Sequence, residues 1–165
     1  MPRPPGAEKG RARGYIETRA NGSLRVSVYQ NSSYAFAAGG ALSTADDLAT
    51  WIKALVGGKV FGADLQRQWL DSPQPADPAD LAATQYGYGI ERQTFAPGAT
   101  MYFHFGELPG FNSFAGYDPV NKVTLVIWSN LTVSPDSRPT ANALLVKVLG
   151  QIYTLPSAPS GEETG

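Results

Sequence analysis

The sequence predicts an α+β fold, a layered α/β arrangement. An antiparallel β-sheet meander is preceded by a helical segment, and a C-terminal helix packs on it. Three observations carry this reading. Two stretches, Leu48–Val56 and Ala141–Ile152, repeat apolar residues at helical spacing. Between them lie extended runs such as Met101-Tyr102-Phe103 and Val123–Trp128. These runs are joined by tight turns at Pro97-Gly98, Pro109-Gly110 and Asp118–Asn121, and connections that short favour antiparallel neighbours.

Composition narrows the function classes. At 165 residues with 42% hydrophobic content, the chain can bury one sizeable core, as one domain or a large piece of one. A net charge of −1 supplies no long-range field, which argues against nucleic acid or an anionic membrane as the main partner. No Cys is present, which excludes disulfides and thiolate metal sites, and a single His excludes a multi-His zinc centre. No metal or cofactor is therefore expected. No uninterrupted apolar stretch is long enough to span a bilayer. The first residues carry no signal-peptide pattern, and the compartment is left open.

Taken in order, residues 1–13 are Pro/Gly-rich and basic, and read as a disordered or cut N-terminal arm. Asn21-Gly22 is a turn signal between two short strands, Tyr15-Ile16-Glu17 and Leu24-Arg25-Val26. Tyr29 to Phe36 reads as a loop. Ser43 suits the N-cap of the first long helix, with Asp46 completing a weak capping box. Asp46 and Asp47 sit favourably at the positive end of the helix dipole. Neighbours on a helix point about 100° apart, so this carboxylate pair reads as capping rather than catalytic. Gly57-Gly58 ends the helix. A second, shorter helix is expected over Phe61–Leu70, followed by a Pro/Asp-rich loop from Asp71 to Thr84. Tyr86–Ile90 then alternates as a half-buried strand, and the continuous apolar run Val123–Trp128 suggests a central one. Pro139 suits the first turn of the last helix. Residues 154–165 read as a disordered tail.

The chemistry converges on His104-Phe105-Gly106-Glu107-Leu108-Pro109-Gly110-Phe111, which holds the only imidazole in the chain. By alternation, Tyr102 and His104 face one side of their strand, and Met101, Phe103 and Phe105 the other. His104 thus stands on the more polar side, where a cleft wall would lie. Glu107 has no visible acid–base partner and reads as a solvated rim residue. Asn112 and Ser113 read as turn and strand residues.

Four segments in order resemble a known superfamily. Gly39-Gly40-Ala41-Leu42-Ser43-Thr44-Ala45-Asp46-Asp47-Leu48 is similar to the GG-x-x-ST-x-x-DL segment of the serine β-lactamase-like hydrolases. That group includes class C β-lactamases, D-alanyl-D-alanine carboxypeptidases and related esterases. Tyr86-Gly87-Tyr88-Gly89 resembles their YGYG segment. His104-x-Gly106-x-x-Pro109-Gly110-Phe111 resembles their third active-site box and its sequel, and Val123–Asn130 the strand that follows. The resemblance implies acyl transfer through a Ser in Ser-x-x-Lys, aided by a Tyr-x-Asn box. Carried over by position, His104 is the basic residue of the third box. Gly106 admits the substrate closely, and the backbone N–H of Glu107 is an oxyanion donor, a role worth roughly 3 kcal/mol in the transition state.

No Ser here is followed three residues later by Lys. The Tyr-x-Asn match at Tyr29-Gln30-Asn31 lies too close to Gly39 and reads as coincidence. Residues 14–153 accordingly read as the C-terminal part of a β-lactamase/DD-peptidase-like domain. The expected substrate is a β-lactam, a D-Ala-D-Ala peptide or an ester. The expected partner is a complementary N-terminal segment, or failing that a second copy, covering apolar surface near Trp51, Trp69 and the His104 side of the sheet. Two other readings compete. One is a non-catalytic, penicillin-binding-like module or remnant that binds a peptide or partner protein. The other is an unrelated small α+β binding domain. The resembled group is commonly exported.

Overall fold

A computed structural model describes residues 12–17, 23–27, 35–77, 80, 83–134 and 138–153. The expected terminal arm and tail, the Asn21-Gly22 turn and the Tyr29-Gln30-Asn31 match fall wholly or mostly outside these residues. The α+β expectation holds. A six-stranded antiparallel sheet runs in sequence order: β3 (Gln74–Pro75), β4 (Gln85–Tyr86), β5 (Glu91–Ala96), β6 (Ala99–Leu108), β7 (Phe111–Asp118) and β8 (Val123–Ser129). A separate hairpin of β1 (Tyr15–Glu17) and β2 (Leu24–Val26) sits at the β6–β7 turn. There the Tyr15 N–H donates to Asn130 O at 2.8 Å, and Ser27 Oγ to Pro109 O at 2.8 Å.

Helices cover both faces. On one, α4 (Thr140–Ile152) lays Ala141, Leu145 and Leu149 on Met101, Phe103, Phe114 and Ile127. Phe103 and Phe114 are fully buried, with ring centroids 5.2 Å apart. Burying an aromatic or large aliphatic side chain of this kind stabilises the fold by about 1.5–3 kcal/mol. On the other face, α2 (Ala45–Val56) presses Ile52 and Val56 onto Tyr117, with Tyr102 and Trp69 of α3 (Ala63–Leu70) at the margin. The alternation expected along β6 is observed: Met101, Phe103 and Phe105 belong to the α4 side, and Tyr102 to the other.

Several local expectations shift. The N-cap of α2 is Thr44, not Ser43. Thr44 holds the extended backbone a cap needs, and its Oγ1 accepts from the Asp47 N–H at 3.1 Å. The box partner is therefore Asp47 rather than Asp46, and Ser43 Oγ donates to Thr44 O instead. The next helix starts at Ala63 because Gly62 is still extended. Phe36–Gly39 forms a one-turn helix, α1, that begins at the last residue of the expected Tyr29–Phe36 loop. Two residues of the expected Asp71–Thr84 loop pair with β4 as β3.

Two shifts bear on function. Tyr86–Ile90 is not a strand. The chain leaves β4 at Tyr86, reverses through Gly89 at φ +68, and re-enters the sheet at Glu91. A left-handed residue of that kind is what a glycine supplies, and it outweighs the alternating pattern. The apolar run of β8 is also not central. It is the outer strand of the described sheet, paired with β7 only. Its side chains other than Trp128 are nevertheless buried or half-buried, because α2 and α4 both pack over β7 and β8.

Candidate active site

The sheet has a step at His104. β5 pairs with β6 only between Ala99 and Phe103, because Glu91 is the first residue of β5 and lies opposite Phe103. From His104 to Leu108, β6 continues, among the described residues, with β7 alone on its other side. The orientation of the backbone along this half-paired stretch follows from Gly106. Its carbonyl lies toward β7, where it meets Ser113 Oγ at 3.3 Å and Asn112 Nδ2 at 3.4 Å. Successive residues of a strand direct their N–H and C=O to opposite edges. The N–H groups of Phe105 and Glu107 therefore point to the open edge. The Phe105 N–H lies on the Glu91 side and favours the charged form of that carboxylate.

Three side chains gather at the step: Tyr86 from the end of β4, Glu91 from the start of β5, and His104. His104 is exposed. Its Nε2 is 3.2 Å from Tyr86 Oη, its Nδ1 bonds the Phe105 carbonyl, and the Tyr86 and His104 rings meet edge-on at 5.7 Å. Burial pushes the Glu91 carboxyl above the ordinary carboxylate range. The charge of His104 and the Phe105 N–H oppose that rise without cancelling it. On the His104 side of β6, Gln85, Arg92, Thr94, Thr100 and Tyr102 line a shallow polar groove.

The strands that carry these groups are held from beneath. Trp69 of α3 donates from Nε1 to Tyr88 O at 2.9 Å, and Ser72 Oγ accepts the Tyr88 N–H at 3.1 Å. The Tyr86–Gly89 turn is thereby fastened to the end of α3. A Cβ at Gly106 would lie 2.4 Å from Ser113 Oγ, so any larger residue there would have to turn that hydroxyl aside. The space above Gly106 is thus occupied by a small, rotatable hydroxyl. Asn112, 3% exposed, accepts the Ala141 N–H on Oδ1 at 2.7 Å, so it ties the first turn of α4 to the site strand.

His104, Gly106 and Glu107 therefore lie on one half-paired stretch of β6. Sequence reading missed Tyr86, Glu91 and Asn112. Tyr86 and Glu91 come together only because residues 87–90 turn, where the alternating pattern reads as a strand. Among the described residues there is no group of three His, Asp or Glu side chains able to hold a metal ion, and no helix is long and apolar enough to cross a membrane.

An antiparallel sheet sandwiched between helices is the architecture of the serine β-lactamase-like hydrolases. The Beta-lactamase family profile matches residues 1–150, and the chain belongs to that family. Solved structures agree in fold. The D-amino acid amidase of Ochrobactrum anthropi SV3, complexed with L-phenylalanine amide, superposes with a TM-score of 0.68 at 24% identity, over 86% of this chain and 41% of the amidase. A D-stereospecific amidohydrolase from Streptomyces sp. gives 0.65 at 22%, over 75% and 36%. A penicillin binding protein from Bacillus halodurans gives 0.60 at 21%, over 86% and 40%. The chain thus spans less than half the length of these relatives.

Proposed function

We propose that residues 14–153 form the third-box side of a serine acyl-transfer site, as the C-terminal part of a β-lactamase/DD-peptidase-like domain. The observation that carries this reading is the half-paired stretch His104–Leu108. It offers a basic side chain and an outward N–H at Glu107 on one open edge. A carbonyl laid against that edge would receive the Glu107 N–H as its oxyanion develops, while His104 stands beside the leaving group or the substrate carboxylate. Gly106 keeps the strand surface low at that point. The nucleophile comes from a Ser-x-x-Lys segment outside these 165 residues, whether joined to them or on another chain.

Exposed apolar side chains support a place for that segment. Trp51 is 51% exposed on α2, and Trp128 45% exposed on the outer strand β8. Trp69, also expected to be bare, is half-buried and packs against Phe61 at 5.8 Å. The substrate is an amide, lactam or ester of small acyl type, and the amidases among the structural relatives favour an amino-acid or peptide amide. Absence of a Ser-x-x-Lys keeps a second reading in play, in which the chain is a non-catalytic penicillin-binding-like module that recognises a peptide or partner protein.

The test is acylation by a fluorescent penicillin and by a fluorophosphonate probe. The chain is assayed alone and mixed with a nucleophile-bearing N-terminal segment of the family. Labelling of the segment only in the mixture, weakened by His104→Ala, is the expected result. No labelling in the mixture, with the two proteins bound to each other, would favour the non-catalytic module. Labelling of this chain alone would overturn the assignment of the nucleophile.

A further inference from the structure

The imidazole of His104 has both nitrogens engaged, and the partners differ in kind. Nδ1 bonds the Phe105 carbonyl, which can only accept, so Nδ1 carries a proton. In the neutral ring Nε2 is then a bare lone pair, and the hydroxyl 3.2 Å away on Tyr86 is its donor. This is the reverse of the tautomer that free histidine prefers in water. Tyr86 is not placed there by chance contact of two mobile side chains. Its turn is pinned to α3 through Trp69 and Ser72, and its ring packs edge-on against the imidazole. At 54% exposure the phenol also reaches solvent on the open side of the step.

We propose that Tyr86 is a positioning residue of the site, which caps Nε2 of His104 while the Phe105 carbonyl holds the proton on Nδ1. The proposal rests on the reading of His104 as the basic residue of an acyl-transfer site. It changes how that residue meets a substrate. A substrate oxygen or leaving nitrogen approaching the step meets the Tyr86 hydroxyl, which answers to His104 behind it, rather than a bare imidazole nitrogen. Glu91 acts on the same ring through charge alone and has no part in choosing the tautomer.

Because His104 is the only histidine in the chain, its ring nitrogens can be observed without assignment ambiguity. The experiment is 15N spectroscopy of the imidazole in the full 165-residue chain at about pH 9, where an ordinary imidazole is neutral. The wild-type chain is expected to give a protonated Nδ1 and an unprotonated Nε2. Tyr86→Phe, with an otherwise unchanged amide spectrum, is expected to leave the proton on Nδ1 and move the unprotonated Nε2 resonance downfield, because that nitrogen loses its hydrogen bond. Glu91→Gln is expected to keep the wild-type pattern. A wild-type ring in the Nε2–H form, or a Tyr86→Phe ring indistinguishable from wild type, would overturn the proposal. This readout needs no catalysis. The hydrolase reading can therefore fail in the labelling assay while the tautomer result stands, and the reverse outcome is equally visible.

Discussion

Tyrosine hydroxyls complete two polar clusters on opposite faces of the sheet, and the clusters are built in opposite ways. On the α4 side, Asp118 is fully buried. It accepts hydrogen bonds from the Val120 N–H, from the Asn121 N–H and side-chain amide, and from Tyr153 Oη at 2.9 Å. On the other side, His104 is exposed and, among the described residues, bonded to Tyr86 and to the carbonyl of the next residue. The first cluster uses up the hydrogen-bonding capacity of its carboxylate and locks the β7–β8 turn to the end of α4. The second leaves an unpaired strand edge beside it. A saturated buried cluster is a stability device, because any partner removed leaves a desolvated group behind. An exposed cluster beside a free strand edge adds little stability and keeps that edge available to a ligand.

Substitutions can sharpen or break this contrast. The largest effect on stability is expected from Asp118→Ala. It strands several buried donors and should lower unfolding free energy by roughly 3 kcal/mol or more in urea titrations. His104→Ala should do the reverse. It should change stability by less than about 1 kcal/mol, yet reduce probe labelling in the complemented mixture by about 100-fold. Equal stability losses in the two variants would erase the distinction between the clusters. Tyr153→Phe should cost an intermediate amount, about 1.5–3 kcal/mol for a hydrogen bond to a charged group.

The same variant tests the pH dependence. Tyr153 is pushed up to about 12 by burial, and then by its bond to Asp118 and the charge there. Its contribution is therefore fully present below the ordinary tyrosine value of 10.0 and is lost as pH rises toward about 12. Asp118 behaves in the opposite sense. Burial raises its carboxyl, but the hydrogen bonds from Asn121, Tyr153 and Val120 outweigh that and hold it below 3.8. Its contribution is present above 3.8 and is lost as pH falls through the lower folded value. Thermal unfolding across pH should show both flanks in the wild type. Tyr153→Phe should remove the alkaline flank and leave part of the acid one. The smallest effect is expected from Glu91→Gln, within about 0.5 kcal/mol at neutral pH, because it removes a charge the fold already disfavours.

The contrast also explains what the sequence could convey. The hairpin turns at Pro97-Gly98 and Pro109-Gly110, and the alternation from Met101 to Phe105, depend on local backbone rules, and they place His104, Gly106 and Glu107 on one strand. The terminal helix was legible for the same reason, although Leu144 and Ile152 of its apolar stripe remain exposed. Tyr86 and Glu91 were not legible. Their meeting with His104 depends on where β5 begins, which the left-handed Gly89 decides against the alternating pattern around it. The outer position of β8 was hidden too, since a strand covered by helices on both faces reads as apolar whether or not its edge is paired. Asn112 looked like a turn residue because its partner, the Ala141 N–H, lies 29 residues away.

The central claim is that the unpaired edge of β6 from His104 to Leu108 receives the acyl group. It is tested most directly by amide spectroscopy of the isotopically labelled chain, bound to a nucleophile-bearing segment, before and after acylation by a penicillin. The Glu107 N–H is expected to shift strongly downfield and gain protection from exchange, with smaller changes at Phe105 and the His104 ring. Acylation that leaves Glu107 and His104 unmoved would place the oxyanion elsewhere and contradict the assignment of this edge.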